Sequence, residues 1–300
     1  MPLRLQPLRV TYCGVRSLLR FGPAGASPLF YAQGGKSSTE VPAWLHRLGL
    51  GAFEYQCGRG INVKEETARA IGREAARFGV ALTLHGPYYI NLAAEGSTRE
   101  NTRRHLRRSI EVAAWMGATK VVFHPGAAGN DRGRALRQAL GLLEEVLEET
   151  DRPELRAVRL APETTGKVNQ LGTLEEVLAL CRLDPRIVPT LDFAHLYARD
   201  GGRPADTEDF RRLLEAVAEA LGEKALRDLH IHFSPIEFTR GGERRHGNLL
   251  EEGLGPNFEA LAQALASLRA EGTVICESAD RQAEDALIYQ EIWRRIAEGG

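Results

Sequence analysis

Short runs of apolar, β-type residues alternate with segments whose apolar positions recur every three or four residues, almost from end to end of the chain. Eight runs read as strands: Leu18–Phe21, Ala52–Gln56, Ala81–Leu84, Lys120–Phe123, Ala157–Ala161, Ile187–Leu191, Leu229–Phe233 and Thr273–Cys276. Helical periodicity lies between them, over Glu65–Arg77, Thr102–Met116, Ala135–Leu147, Thr173–Cys181, Thr207–Ala220, Asn257–Arg269 and Ala283–Ile296. Gly49, Gly79, Gly117 and Gly272 each follow a helical stretch and precede a strand, as helix-terminating glycines do.

Strand–helix alternation repeated eight times predicts an α/β fold, a single (β/α)8 TIM barrel with a parallel eight-stranded barrel and outer helices. The competing fold, an open doubly wound sheet, lacks support. The segment Gly22-Pro-Ala-Gly25 after the first strand does not carry a phosphate-binding glycine fingerprint. Residues 1–17 read as an N-terminal extension and residues 18–300 as the barrel domain. Leu196–Thr207 and Ser234–Gly255 read as long loops on the barrel's active rim, where loops without their own structure are usually functional.

The 300 residues suit one large domain with a substantial core. A formal net charge of −1 gives no strong overall field toward nucleic acid or membrane, although a local basic rim would suffice for DNA. The 34 Arg against 5 Lys read first as a coding or thermal bias. Cys13, Cys57, Cys181 and Cys276 are scattered and form no CxxC pair, so neither a disulfide framework nor a thiolate metal site is expected. No apolar run approaches the ~18 residues of a membrane span, and the amino terminus shows no signal-peptide pattern. The expectation is a cytoplasmic monomer.

The chemistry gathers at the strand ends. His85 follows Ala81–Leu84, His124 follows Val121–Phe123, and Glu163 follows Leu160–Pro162. Asp192 and His195 follow Ile187–Leu191, His230 and His232 flank Ile231, and Glu277 follows Val274–Cys276. A lone histidine at a strand end is more often a cap than a ligand. A parallel barrel, however, brings all these ends to one rim, the face on which barrel enzymes place their catalytic residues. Three carboxylates held close together need cations, and mixed nitrogen and oxygen ligands without sulfur suit Zn²⁺, Mn²⁺ or Fe²⁺. Several closely spaced divalent ions favour phosphodiester hydrolysis, with metal-assisted sugar isomerisation as the rival.

At these residues the chain resembles the endonuclease IV family of abasic-site endonucleases, within the xylose-isomerase-like barrels. The resemblance rests on His85-Gly-Pro-Tyr-Tyr-Ile-Asn-Leu92, Phe123-His-Pro-Gly126, Glu163-Thr-Thr-Gly-Lys167 and Leu191-Asp-Phe-Ala-His195. Leu229-His-Ile-His-Phe-Ser234 and Ile275-Cys-Glu277 are weaker matches, and the set falls in family order across roughly residues 18–280. It looks closest to a divergent, archaeal-type branch.

The resemblance implies a zinc-dependent hydrolase of base excision repair, with two or three ions and Mn²⁺ as the alternative. Its partner would be double-stranded DNA with an abasic site. Cleavage 5′ of that site would leave a 3′-hydroxyl and a 5′-deoxyribose phosphate. His85 and His124 would bind a first ion. Glu163 would bridge it to a second, held also by Asp192, His230 and Glu277. His195 and His246 would bind a third. Glu163, Glu277 and His124 would be the catalytic residues. Tyr88 would wedge into the minor groove with Arg59, while Lys167 and Arg245 would contact phosphates.

One departure stands out. The family places an aspartate two residues before the third-ion histidine, and here Glu243-Arg-Arg-His246 puts Arg244 there, a residue that repels cations. Either Glu243 or Glu237 moves in, or the third ion is weak or absent. His232 is open between an extra ligand, a donor behind the ligands and a structural residue. A sugar or sugar-phosphate isomerase or epimerase of the same superfamily is the alternative, and a non-catalytic relative the third reading.

Overall fold

A computed structural model describes residues 19–299. Eight strands form the barrel: β1 (Leu19–Pro23), β2 (Ala52–Gln56), β3 (Ala81–His85), β4 (Lys120–Phe123), β5 (Arg159–Pro162), β6 (Thr190–Asp192), β7 (Leu229–Phe233) and, last in the chain, β10 (Gly272–Cys276). Between the last two comes an antiparallel hairpin, β8 (Ile236–Thr239) and β9 (Gly242–His246). Parallel pairing runs β2-β3-β4-β5 and β1-β10-β7-β6. Single bridges, Ala24 to Glu54 and Glu163 to Thr190, close the two arcs into one barrel.

The outer helices are α1 (Pro28–Ala32), α2 (Val41–Leu48), α3 (Glu65–Phe78), α4 (Gly96–Met116), α5 (Arg132–Glu149), α6 (Leu174–Cys181), α7 (Phe193–Arg199), α8 (Thr207–Leu221), α9 (Phe258–Ser267) and α10 (Gln282–Gly299). None among the described residues is long and apolar enough to cross a membrane. Gly49, Gly79 and Gly117 end α2, α3 and α4 in the left-handed region, φ 83°, 67° and 68°. Gly272 differs: it opens β10, where a Cβ would meet the Leu229 carbonyl oxygen at 2.1 Å. The expected N-terminal extension, and Leu18 of the expected first strand, lie outside the described residues.

Alternation along the strands divides two environments. Phe53, Leu82, Leu84, Val121, Phe123, Leu160, Ile231, Phe233 and Val274 join the apolar core with the helices. The alternate positions Glu54, Thr83, His85, Lys120, His230 and His232 are buried and polar. Barrel interiors are usually filled by branched aliphatic residues. This one carries charge through its depth, and every buried charge needs a partner. At the N-terminal end of the barrel, Lys120 Nζ meets Asp228 at 2.7 Å, and Arg159 pairs with the same carboxylate.

Two expected loops are structured. Asp192 accepts from the His195 backbone N–H at 2.7 Å, an N-cap that starts α7 where Leu196–Thr207 reads as loop, so the loop shrinks to 200–206. Ser234–Gly255 contains the β8–β9 hairpin. Its charged, glycine-interrupted sequence hides the strand alternation. The arginines of α4 form a solvated face, Arg103 pairing with Glu100 and Arg108 with Glu111, while Arg103 and Arg107 also reach Glu149 of α5. Cys57, Cys181 and Cys276 are buried free thiols.

Candidate metal centre

Glu163, at the end of β5, is the hub of the rim. Its Oε2 lies 3.2 Å from His85 Nε2 and 3.1 Å from His124 Nε2. Its Oε1 lies 3.1 Å from His232 Nδ1 and 3.3 Å from His195 Nδ1. Glu277 approaches His232 Nδ1 at 3.3 Å. These contacts define groups whose ligand atoms all fall within 4.8 Å of one another: His85–His124–Glu163, Glu163–Asp192–His232–Glu277, and His195–Glu243–His246. Glu163 is common to the first two.

Partners behind the rings select which nitrogen faces the centre. A backbone carbonyl can only accept, so His85 donates Nδ1–H to Gly86 O at 2.9 Å and His195 donates Nδ1–H to Thr164 O at 2.9 Å. That turns His85 Nε2 toward Glu163 at 3.2 Å, and His195 Nε2 toward Glu243 at 3.5 Å. His246 has its Nδ1 on the Ser234 hydroxyl at 2.7 Å and turns Nε2 toward Glu243.

The structure places His230 apart from the other residues expected as ligands. Residues two apart on a strand point the same way but sit ~6.6 Å apart along it. His232, nearer the carboxyl end of β7, therefore reaches Glu163 and Glu277, and it takes the place expected for His230. His230 sits one layer deeper, with Nε2 2.8 Å from Glu54 Oε2. Glu54 is absent from the expected set altogether. It is fully buried in the middle of β2 and also faces His232 Nε2 at 3.1 Å. A carboxylate inside a short strand flanked by Phe53 and Tyr55 was the available signal, because an inward-facing charge in a barrel strand needs a partner.

The hairpin resolves the Arg244 departure. Ile236 pairs with His246, Glu237 with Arg245 and Phe238 with Glu243, so Arg244 is the extra residue of a β-bulge. Glu243 and His246 then face the centre together, while Arg244 and Arg245 turn outward. Arg244 pairs with Glu237, away from the cations it would repel. Gly166 makes room for this seat. A Cβ there would meet Glu243 Cβ at 2.6 Å, and the Glu243 N–H donates to Gly166 O at 3.0 Å. Gly166 is thus a close-approach residue.

The electrostatics of the cluster are those of a site short of positive charge. Burial disfavours the imidazolium of His85, yet the Glu163 carboxylate outweighs it and raises the pKa to about 9. His195 and His232 are likewise pushed well above the ordinary value, against their burial, by the surrounding carboxylates. Burial, with Glu163 and Glu277 nearby, raises Asp192 to about 7 despite His195. Asp192 Oδ2 is buried and accepts no hydrogen bond. An orphaned carboxylate oxygen among imidazoles with preset tautomers fits divalent ions bound through nitrogen and oxygen, and that donor set suits zinc or manganese.

Above the centre opens a cavity of about 560 Å³, lined among others by His124, Tyr88, Asn91, Lys167, His246 and Glu277. Tyr88 is 64% exposed at its mouth. Arg59 lies in a neighbouring groove with Tyr55, Gln56 and Lys64. Arg245, expected to bind phosphate, is committed instead to Glu237 and Glu251 at 2.9 and 2.6 Å.

Comparison with known proteins agrees with this architecture. The family model described as xylose isomerase-like TIM barrel matches residues 42–297. An uncharacterised protein of Methanocaldococcus jannaschii is 36% identical over 237 residues, spanning 78% of this chain and 84% of that protein. Endonuclease 4 of Thermus thermophilus is 31% identical over 219 residues, 71% of this chain and 77% of the relative. Among solved structures, a D-tagatose 3-epimerase-like protein superposes with a TM-score of 0.64 at 21% identity, covering 83% of this chain and 89% of that one. The chain belongs to the xylose isomerase-like TIM barrel family.

Proposed function

We propose that this protein is a metal-dependent endonuclease that hydrolyses the DNA phosphodiester 5′ of an abasic site, as in base excision repair. The observation that carries this reading is Glu163, one carboxylate shared between two complete ligand groups, with a third group beside them on the same rim. Under this reading His85, His124 and Glu163 hold one ion. Glu163, Asp192, His232 and Glu277 hold a second, and His195, Glu243 and His246 a third. Divalent ions there, zinc by preference and manganese as the alternative, would lower the pKa of a water and neutralise charge on the phosphate.

The chain's own residues do the rest. Glu163, Glu277 and His124 border the reacting position. Water adds to phosphorus as the bond to the 3′ oxygen breaks, leaving a 3′-hydroxyl and a 5′-deoxyribose phosphate. Tyr88, aromatic and exposed at the cavity mouth, occupies the gap left by the missing base. Lys167 lines the cavity and binds a phosphate, and Arg59 in the adjacent groove meets the flanking backbone. The likeness to an endonuclease 4 at 31% identity supports this choice.

A second reading is a sugar or sugar-phosphate isomerase or epimerase. Glu163, Asp192, His232 and Glu277 alone would make a complete one-ion site for a polyhydroxy ketone. That reading leaves the other two groups without a role. The two separate in parallel assays of the metal-loaded protein. Incision of a duplex bearing one tetrahydrofuran lesion, with free ketohexoses unchanged, is the expected result. Epimerised sugar and an intact duplex would overturn it.

A further inference from the structure

Beneath the rim, Glu54 and His230 form a layer that the proposed reaction does not use. We propose that Glu54 is a positioning residue: it fixes His232 in the Nε2–H tautomer, so that Nδ1 is the atom offered to the metal. This rests on the reading of the rim as a divalent-metal centre. It does not depend on which substrate is cleaved.

An ionised carboxylate only accepts. Glu54 Oε2 accepts the Thr83 hydroxyl at 2.9 Å and faces His230 Nε2 at 2.8 Å and His232 Nε2 at 3.2 Å. Glu54 Oε1 accepts from Gln56 Nε2 at 3.1 Å and lies 3.1 Å from His232 Nε2. Hydroxyl, amide and both rings thus converge on one carboxylate that is fully buried. Both imidazoles must present N–H on their Nε2 side. For His232 the opposite nitrogen, Nδ1, is the one beside Glu163 and Glu277.

This reverses the arrangement at His85 and His195, where backbone carbonyls take Nδ1–H and Nε2 faces the centre. His232 rises from the barrel interior, where among the described residues its ring nitrogens meet carboxylates and no backbone carbonyl. A buried side-chain carboxylate takes that role. Glu54 also carries the charge that balances a ligand ring feeding a cation, as acidic partners of metal-bound histidines do. The same three side chains could themselves chelate an ion, since Glu54, His230 and His232 fall within ligand distance of one another. The four donors already converging on Glu54 favour the positioning role.

The test uses the full chain. In zinc-loaded wild-type protein, ¹⁵N NMR of the His232 ring is expected to show Nε2 protonated and Nδ1 metal-bound. Apo-protein titrated with zinc against a chromophoric chelator is expected to bind about 10- to 100-fold more weakly at the rim in E54Q, with E54D recovering part of the loss. A structural role alone would lower the melting temperature without changing the tautomer or the affinity. Nδ1–H at His232 in the zinc-loaded wild type would overturn the proposal, even if both variants failed to fold. So would unchanged zinc affinity in a folded E54Q, or an additional zinc equivalent that disappears with Glu54. Wild-type protein that binds no metal would overturn the metal-centre reading itself.

Discussion

Glu243 and His246 face the same centre although three positions apart on one strand, because Arg244 bulges out between them. Regular strand alternation would send them to opposite faces. Deleting Arg244 converts the bulge into a regular strand with the two ligands two positions apart. The expected outcome is unchanged zinc stoichiometry in the deletion and one ion fewer in Glu243→Ala, read by elemental analysis of dialysed protein. A deletion that loses the same ion as Glu243→Ala would show that facing the same side is not enough to make the seat.

Gly166 lets the hairpin reach its seat. Gly166→Ala brings a methyl group to 2.6 Å from Glu243 Cβ. Overpacking of this kind costs about 1–3 kcal/mol. The expected result is a lowered melting temperature and weaker binding of the ion held by His195, Glu243 and His246, with the groups around Glu163 retained. Equal weakening at every site would point to a general loss of fold instead.

The fold and most of the centre were legible because a parallel barrel converts strand ends into a ring. Each apolar run followed by histidine or carboxylate could be placed without knowing any contact. Glu54 escaped because it lies inside a strand, not at its end, and nothing in Ala52–Gln56 shows which neighbour it answers. His230 and His232 share one face of β7, so only the height of the rim, set by β5 and β10, distinguishes ligand from layer beneath. The Arg244 bulge was illegible for a different reason. Spacing of three in a charged segment has no strand signature, and the hairpin docks on Gly166 through a contact its own residues do not announce. That docking also spends Arg245 on Glu237 and Glu251, partners the chain alone does not announce.

At the far end of the barrel, Lys120 is 3% exposed and depends on Asp228. Asp228→Asn leaves that ammonium poorly compensated, and losing a charged hydrogen bond costs about 1–3 kcal/mol. Burial opposes ionisation of Asp228, but Arg159 and Lys120 hold its pKa below the ordinary 3.8. A depressed folded pKa contributes stability above the unfolded value, and that contribution is lost as pH falls through the folded one. Urea melts should therefore show a constant wild-type advantage near neutral pH that shrinks toward zero in acid. An advantage that persists below pH ~2 would contradict this assignment.

Tyr88 is exposed beside the centre, with its ring 6.2 Å from that of His124. Stacking of one base on an aromatic ring is worth about 1–3 kcal/mol. Tyr88→Ala should weaken binding to duplex with an abasic site by roughly 5- to 150-fold and to undamaged duplex far less. Fluorescence anisotropy with both duplexes checks this, and equal losses on the two would remove the wedge role.

The most direct measurement is incision of an end-labelled duplex bearing one tetrahydrofuran lesion by the zinc-loaded protein and by Glu163→Gln. A single cut immediately 5′ of the lesion with a polymerase-extendable 3′-hydroxyl is expected, abolished in Glu163→Gln. A duplex left intact by the metal-loaded wild type, or cut equally well by Glu163→Gln, would contradict it.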